Sequence, residues 1–193
     1  MRAMRRPRIV KGALAAVALM LGSTTALLLA GGSTAQPSRS QQLFRKTLLD
    51  DPKTTSGVKR LLREGGFVAP AIEFGDVTGD ARSDAVVLVD SGGAAGAVAL
   101  YVFSTHGRAA DSALRTVYRS QGLYRAQAEI SAGTLILRVP RFAEGDDLCC
   151  PAKVVERVYA WSSSAKTLKL RSTREVDGPT GTAATTTTAT TPG

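Results

Sequence analysis

Two apolar runs, "DAVVLVD" at 84–90 and "AVALYVFS" at 97–104, flank the glycine-rich link "SGGAAG". Neither run alternates polar with apolar residues, so each fits a strand covered on both faces. The short glycine-rich link between them fits a hairpin at the centre of a sheet. A chain with such a hairpin needs one apolar layer above it and another below, and the rest of the sequence has to supply both.

The segment before the hairpin offers helices. Leu43, Phe44, Thr47 and Leu48 recur at three- and four-residue steps, and Pro52 in "DDPK" forbids continuation. A second pattern starts at Ser56 as N-cap, carries Val58, Leu61 and Leu62 on one stripe and stops at Gly65 and Gly66. Both are too short to stand alone and must pack on something. After the hairpin, "ALRTVYRS" (113–120) and "LYRAQAEI" (123–130) carry enough charge to be edge strands. "TLILRVP" (134–140), "KVVERVYAW" (153–161) and "KTLKLRS" (166–172) read as further strands, with Val155, Tyr159 and Trp161 on one face beside Arg157. Turn signals every ten residues or so, without long helices between them, predict an α+β fold. Its two short N-terminal helices pack on an antiparallel β-meander sheet. Tyr101, Tyr159 and Trp161 are large enough to offer a partner a face, though sheet core accounts for them more simply.

The two ends lie outside that domain, which spans 36–176. Residues 1–35 open with a basic head (Arg2, Arg5, Arg6, Arg8, Lys11), continue with the apolar stretch 12–30 and close on the small residues Ser33 and Ala35. This is the layout of a signal peptide cleaved after Ala35. The rival is an uncleaved anchor, but Gly22, Ser23, Thr24 and Thr25 interrupt a run already at the short edge of what spans a bilayer. Residues 177–193, "DGPTGTAATTTTATTPG", have no large apolar side chain to bury and predict a disordered tail. The expected location is extracellular or in the cell envelope, with membrane contact only through a retained leader.

Export changes how the charge is read. The whole chain has 25 Lys and Arg against 16 Asp and Glu, a net +9. Five of the basic residues fall in the leader, which leaves 20 against 16, or +4, in the mature chain. That surplus favours solubility and weak attraction to anionic envelopes. It does not predict nucleic-acid binding, because no Lys/Arg cluster is interleaved with stacking aromatic residues.

The stretch "FGDVTGDARSDAVVLV" (74–89) places Asp76, Asp80 and Asp84 at four-residue spacing directly before the first apolar run. Closely spaced acidic side chains with backbone carbonyls are what calcium takes as ligands. Donors at loop positions 1, 3, 5 and 9 would be Asp76, Thr78, Asp80 and Asp84, with the Arg82 carbonyl at 7. The alternative is a turn before a strand, whose aspartates accept backbone N–H groups.

These residues resemble the calcium-binding loop of FG-GAP and VCBS-type repeats, Asp-x-Asn-Gly-Asp-Gly-x-x-Asp followed by an apolar strand. The resemblance implies calcium as a cofactor held by Asp76, Thr78, Asp80 and Asp84. Three residues depart from it: Thr78 replaces a stronger oxygen donor, Ala81 replaces a glycine, and Arg82 puts a cation beside the site. Such repeats close propellers from at least four copies, and this chain has one. More weakly, the order of leader, loop, hairpin and late "CCP" resembles the LppP/LprE-like exported lipoproteins of actinobacteria. That resemblance implies an envelope protein, but its lipid-accepting cysteine is missing.

Both cysteines are adjacent, Cys149 and Cys150 in "EGDDLCCPAK". Outside the cytoplasm thiols oxidise, and this pair can bridge to itself, bridge to another chain or stay reduced. A bridge between neighbours closes an eight-membered ring that can lock a turn before Pro151, act as a redox switch or present a hard edge to a ligand. Zinc lacks ligands here, since two sulfurs and the distant His106 fall short of four.

No nucleophile elbow, zinc-helix motif, phosphate loop or spaced cysteine pair is present. His106 sits in a turn before Gly107, and Glu144, Asp146 and Asp147 read as a solvated acidic loop. The function expected is therefore an exported, non-catalytic binding or structural protein of the cell envelope with an unknown partner. The alternatives are a secreted hydrolase using the acids of the 76–84 loop and a redox sensor using Cys149 and Cys150.

Overall fold

A computed structural model describes residues 36–104 and 114–178. The leader at 1–35, His106 and the tail beyond 178 lie outside the described residues. Two helices, α1 (Arg39–Asp50) and α2 (Ser56–Glu64), precede nine strands. They are β1 (Phe67–Val68), β2 (Glu73–Gly75), β3 (Asp84–Asp90), β4 (Ala97–Ser104), β5 (Arg115–Gln121), β6 (Gln127–Ser131), β7 (Thr134–Arg141), β8 (Lys153–Ser162) and β9 (Thr167–Asp177). All pairings are antiparallel, and the fold class is α+β as the sequence predicts.

The strands divide between two sheets where the sequence suggested one. The first has the order β1-β3-β4-β5, with β2 beside β3, and the second runs β6-β7-β8-β9. The break falls between β5 and β6, at Gly122 (φ 76°) and Arg125 (φ 48°), where the backbone turns through the left-handed region. Before it crosses over, the link still bonds to the first sheet, through Leu123 N–H to Val98 O at 2.8 Å and Ala126 N–H to Ala97 O at 3.1 Å. The two charged segments foreseen as edges are edges, one in each sheet.

The apolar hairpin is the middle layer. Ala85, Val87 and Val89 of β3, with Ala99, Tyr101 and Phe103 of β4, face Phe44 and Leu48 of α1 and Val58 and Leu62 of α2. Val86, Leu100 and Val102 face the other way, onto Leu135, Leu137, Tyr159 and Leu168 of the second sheet. This two-sided burial is why neither run alternates, and each fully buried valine or leucine contributes about 1.5–3 kcal/mol. Tyr101 and Tyr159 are thus core residues of opposite faces, and Trp161 packs against the second cluster. The three do not form one partner face.

Both helices are capped by short polar side chains. Ser38 and Gln41 form a reciprocal capping box on α1. On α2 the cap is Thr55, one residue before the expected Ser56, with its hydroxyl accepting the Val58 N–H at 3.4 Å. Gly65, at φ 127°, ends that helix in a conformation only glycine adopts without cost. At the end of α1 the Asp51 carboxylate accepts from the Thr116 hydroxyl at 3.3 Å and from Arg119 at 3.1 Å, which pins the helix end to β5.

Candidate functional site

The 76–84 loop leads from β2 into β3 and passes over the edge of the second sheet. Val77 is its apolar anchor, 1% exposed and packed in the cluster between the sheets. Gly75 permits the approach, because a Cβ there would meet Ile130 Cγ2 at 3.1 Å. With Val77 drawn inwards, the backbone amides of 77–81 curl around two carboxylates.

Asp76 Oδ1 accepts the N–H groups of Gly79 at 2.6 Å and of Thr78 and Asp80 at 3.2 Å. Its Oδ2 accepts that of Ala81 at 2.8 Å. Asp84, 1% exposed, turns Oδ2 to the N–H groups of Val77 at 2.9 Å and Thr78 at 3.0 Å. The Thr78 hydroxyl, also buried, lies 3.5 Å from Asp84 Oδ1. Asp80 Oδ1 accepts the Arg82 N–H at 3.0 Å. Desolvation pushes the Asp76 carboxyl up, but the donors from Ala81, Gly79, Asp80 and Thr78 together outweigh it and hold its pKa below the ordinary aspartate value. Ala81 adopts φ 60°, the left-handed conformation that a glycine would adopt freely.

Of the four residues expected to bind calcium, Thr78 and Asp84 are brought together and Asp76 closes the same turn. Their carboxylate oxygens face backbone N–H donors, however, which occupy both oxygens of Asp76. Among the described residues no group of three or more His, Cys, Asp or Glu side chains is placed to hold a metal ion. Calcium takes six to eight oxygens directed at one point, whereas the Asp76 oxygens and Asp84 Oδ2 here accept backbone N–H groups.

The second candidate lies in the segment between β7 and β8. Cys149 and Cys150 are bonded to each other. The base of the segment is tied by Asp146, whose Oδ2 accepts the Ala143 N–H at 2.8 Å and the Ala152 N–H at 2.7 Å. These two donors hold the Asp146 carboxyl below its ordinary pKa. A cavity of about 140 Å³ opens beside the pair, with Cys149, Phe142, Pro151, Arg125 and Arg138 among its walls. The Tyr124 ring meets Phe142 edge-on, with centroids 5.8 Å apart, and so joins the β5–β6 link to this segment.

One cluster escaped the sequence reading. On the outer face of the second sheet, Glu156 is 3% exposed although it points away from the core. Arg138 on β7 donates to it at 2.9 Å and Arg174 on β9 at 2.6 Å, while Arg138 also pairs with Glu129 at 2.9 Å. The register explains the cluster, since Arg138, Glu156 and Arg174 are direct cross-strand partners. Only the alternation of β8, which sends Arg157 inwards beside Tyr159 and Glu156 outwards, hinted at it.

Comparison with known proteins adds one relative. Over 147 residues the chain is 27% identical to a curated protein, lipoprotein CseA of Streptomyces avermitilis; the match covers 74% of this chain and 65% of that protein's length. No family model and no solved structure matches the chain. Among the described residues, no helix is long and apolar enough to cross a membrane.

Proposed function

We propose that this chain is an exported, non-catalytic binding or structural module of the cell envelope. Two independent features support export: the basic-then-apolar leader at 1–35 and the similarity to a protein named a lipoprotein. The lipid is not carried over, because the only cysteines, Cys149 and Cys150, lie far from the leader.

The observation that carries the non-catalytic reading is the engagement of Asp76 and Asp84 by six backbone N–H contacts. A hydrolase built on this loop would use these carboxylates to attack, to take a proton or to hold a metal, roles that the N–H donors oppose. Here they shape the chain that enters β3. The loop is a structural device that joins β2 to β3 with Gly75 opposite Asp84.

The test has two parts. Fractionation of cells producing the full chain, with mass analysis of the N-terminus, should place the protein outside the cytoplasm, and recovery from the cytoplasm would overturn the export reading. A hydrolase screen on the purified protein should find no turnover. Activity abolished by Asp84→Asn with the fold intact would replace this reading with the enzyme.

A further inference from the structure

We propose that the Cys149–Cys150 bridge is an exchangeable redox site, opened by a dithiol that attacks Cys149, and that it is not a staple of the fold. A disulfide stabilises mainly by closing a loop in the unfolded chain, and its effect grows with the number of residues enclosed. A bridge between neighbours encloses almost nothing. The restraint on the segment comes instead from Asp146, which ties Ala143 to Ala152, and from the Cys150 N–H bond to Asp147 O at 2.9 Å. Reduction therefore leaves the segment's anchors in place.

Access and charge favour exchange at this point. Cys149 is exposed and Cys150 half-buried, so an incoming thiolate reaches Cys149 first. Exchange passes through a state with negative charge spread over three sulfurs, which a nearby cation stabilises. Arg138, in the cavity wall, is already neutralised by Glu129 and Glu156. Arg125, in the same wall, donates to the neutral Ala94 carbonyl at 3.2 Å and forms no ion pair among the described residues. In the proposed exchange this uncompensated charge stabilises the three-sulfur state. Of the acids on the segment, Asp146 is engaged by backbone, whereas Glu144 and Asp147 are exposed and disfavour an acidic dithiol partner.

The step balances as follows. One thiolate of the dithiol attacks Cys149 Sγ, the S–S bond breaks, and its electron pair passes to Cys150 Sγ. The second thiol of the partner gives its proton to Cys150 and, as a thiolate, attacks the partner's first sulfur, the one bonded to Cys149 in the mixed disulfide. Cys149 leaves as a thiolate and takes a proton from water. Two electrons pass from the dithiol to the pair, one proton comes from the partner's second thiol and one from water, and the partner leaves as a disulfide.

Dithiothreitol is the test reagent, applied to the purified full chain. Native protein should show no free thiol and run as a single chain without reductant. Under excess dithiothreitol it should show two thiols while its circular dichroism is kept and its Tm moves by no more than about 2 °C. Arg125→Gln should slow the reduction about 3- to 10-fold at unchanged Tm, and Arg125→Lys, which keeps the charge, should restore most of the rate. Two free thiols in native protein, a bridge between chains, or reduction only upon unfolding would overturn the proposal. An Arg125→Gln rate equal to wild type would overturn the role given to Arg125.

Discussion

The Oδ2 atom of Asp84, at the first position of β3, accepts the backbone N–H of Val77 at 2.9 Å. That bond joins the two ends of the loop at the point where Val77 enters the layer between the sheets. The side chain that spacing puts at a ligand position thus fastens the loop to the strand that follows it.

Removing the fastener should be expensive. Asp84→Ala leaves the Val77 N–H without its acceptor in a buried place and the Thr78 N–H with only the longer bond to Asp76 Oδ1 at 3.2 Å. With about 1–3 kcal/mol for the one buried donor left unmade and up to about 1 kcal/mol for the bond weakened beside it, the variant should lose roughly 1–4 kcal/mol. Urea unfolding at constant m-value measures this. Asp84→Asn, which keeps an acceptor, should lose less.

Ala81 tests the backbone side of the same turn. Its φ of 60° costs a non-glycine residue about 1–2 kcal/mol, part of which glycine gives back through a freer unfolded chain. Ala81→Gly should therefore stabilise the protein by about 0.5–1 kcal/mol, read as a higher urea midpoint.

Acid should weaken the fold through carboxylates whose pKa values are depressed in the folded state. Against desolvation, backbone donors lower that of Asp76. The Arg174 hydrogen bond is the main cause at Glu156, and the Arg138 hydrogen bond at Glu129. A depressed folded pKa gives stability that is complete above the unfolded value and is lost as pH falls through the folded one. Melting temperature should stay level from neutral pH to about 5 and fall below about 4. Asp76→Asn should have a lower plateau and a shallower acid limb.

The arginine–glutamate row makes a separate prediction. Glu156 is buried between Arg138 and Arg174, but Arg174 is largely exposed and Arg138 keeps Glu129. Glu156→Ala should cost about 1–3 kcal/mol, between a surface pair and a fully buried one, and the loss should shrink as salt is raised. Chemical denaturation at low and high salt reads both effects.

The legible parts of the fold were those with one physical cause. Unbroken apolar runs at 84–90 and 97–104 mean burial on both faces, and β3 and β4 occupy those residues. The division into two sheets was hidden because it rests on left-handed backbone at Arg125, a residue type that carries no such signal. Thr55 displaced Ser56 as the cap because both are good caps and only the tertiary position of α2 chooses between them. At the candidate site, spacing identified Asp76 and Asp84 but not which way their oxygens turn. That direction depends on Val77 being pulled into the core, a long-range contact. Glu156 was missed for a related reason, since cross-strand register decides its partners.

Thermal melting of the purified protein in millimolar calcium and in chelator tests the backbone-organising role of the aspartate loop most directly. With Asp76 and Asp84 committed to N–H donors, the two curves should coincide. A Tm that climbs with calcium concentration, reaching about 5 °C or more well above the dissociation constant, would mean that the carboxylates hold an ion.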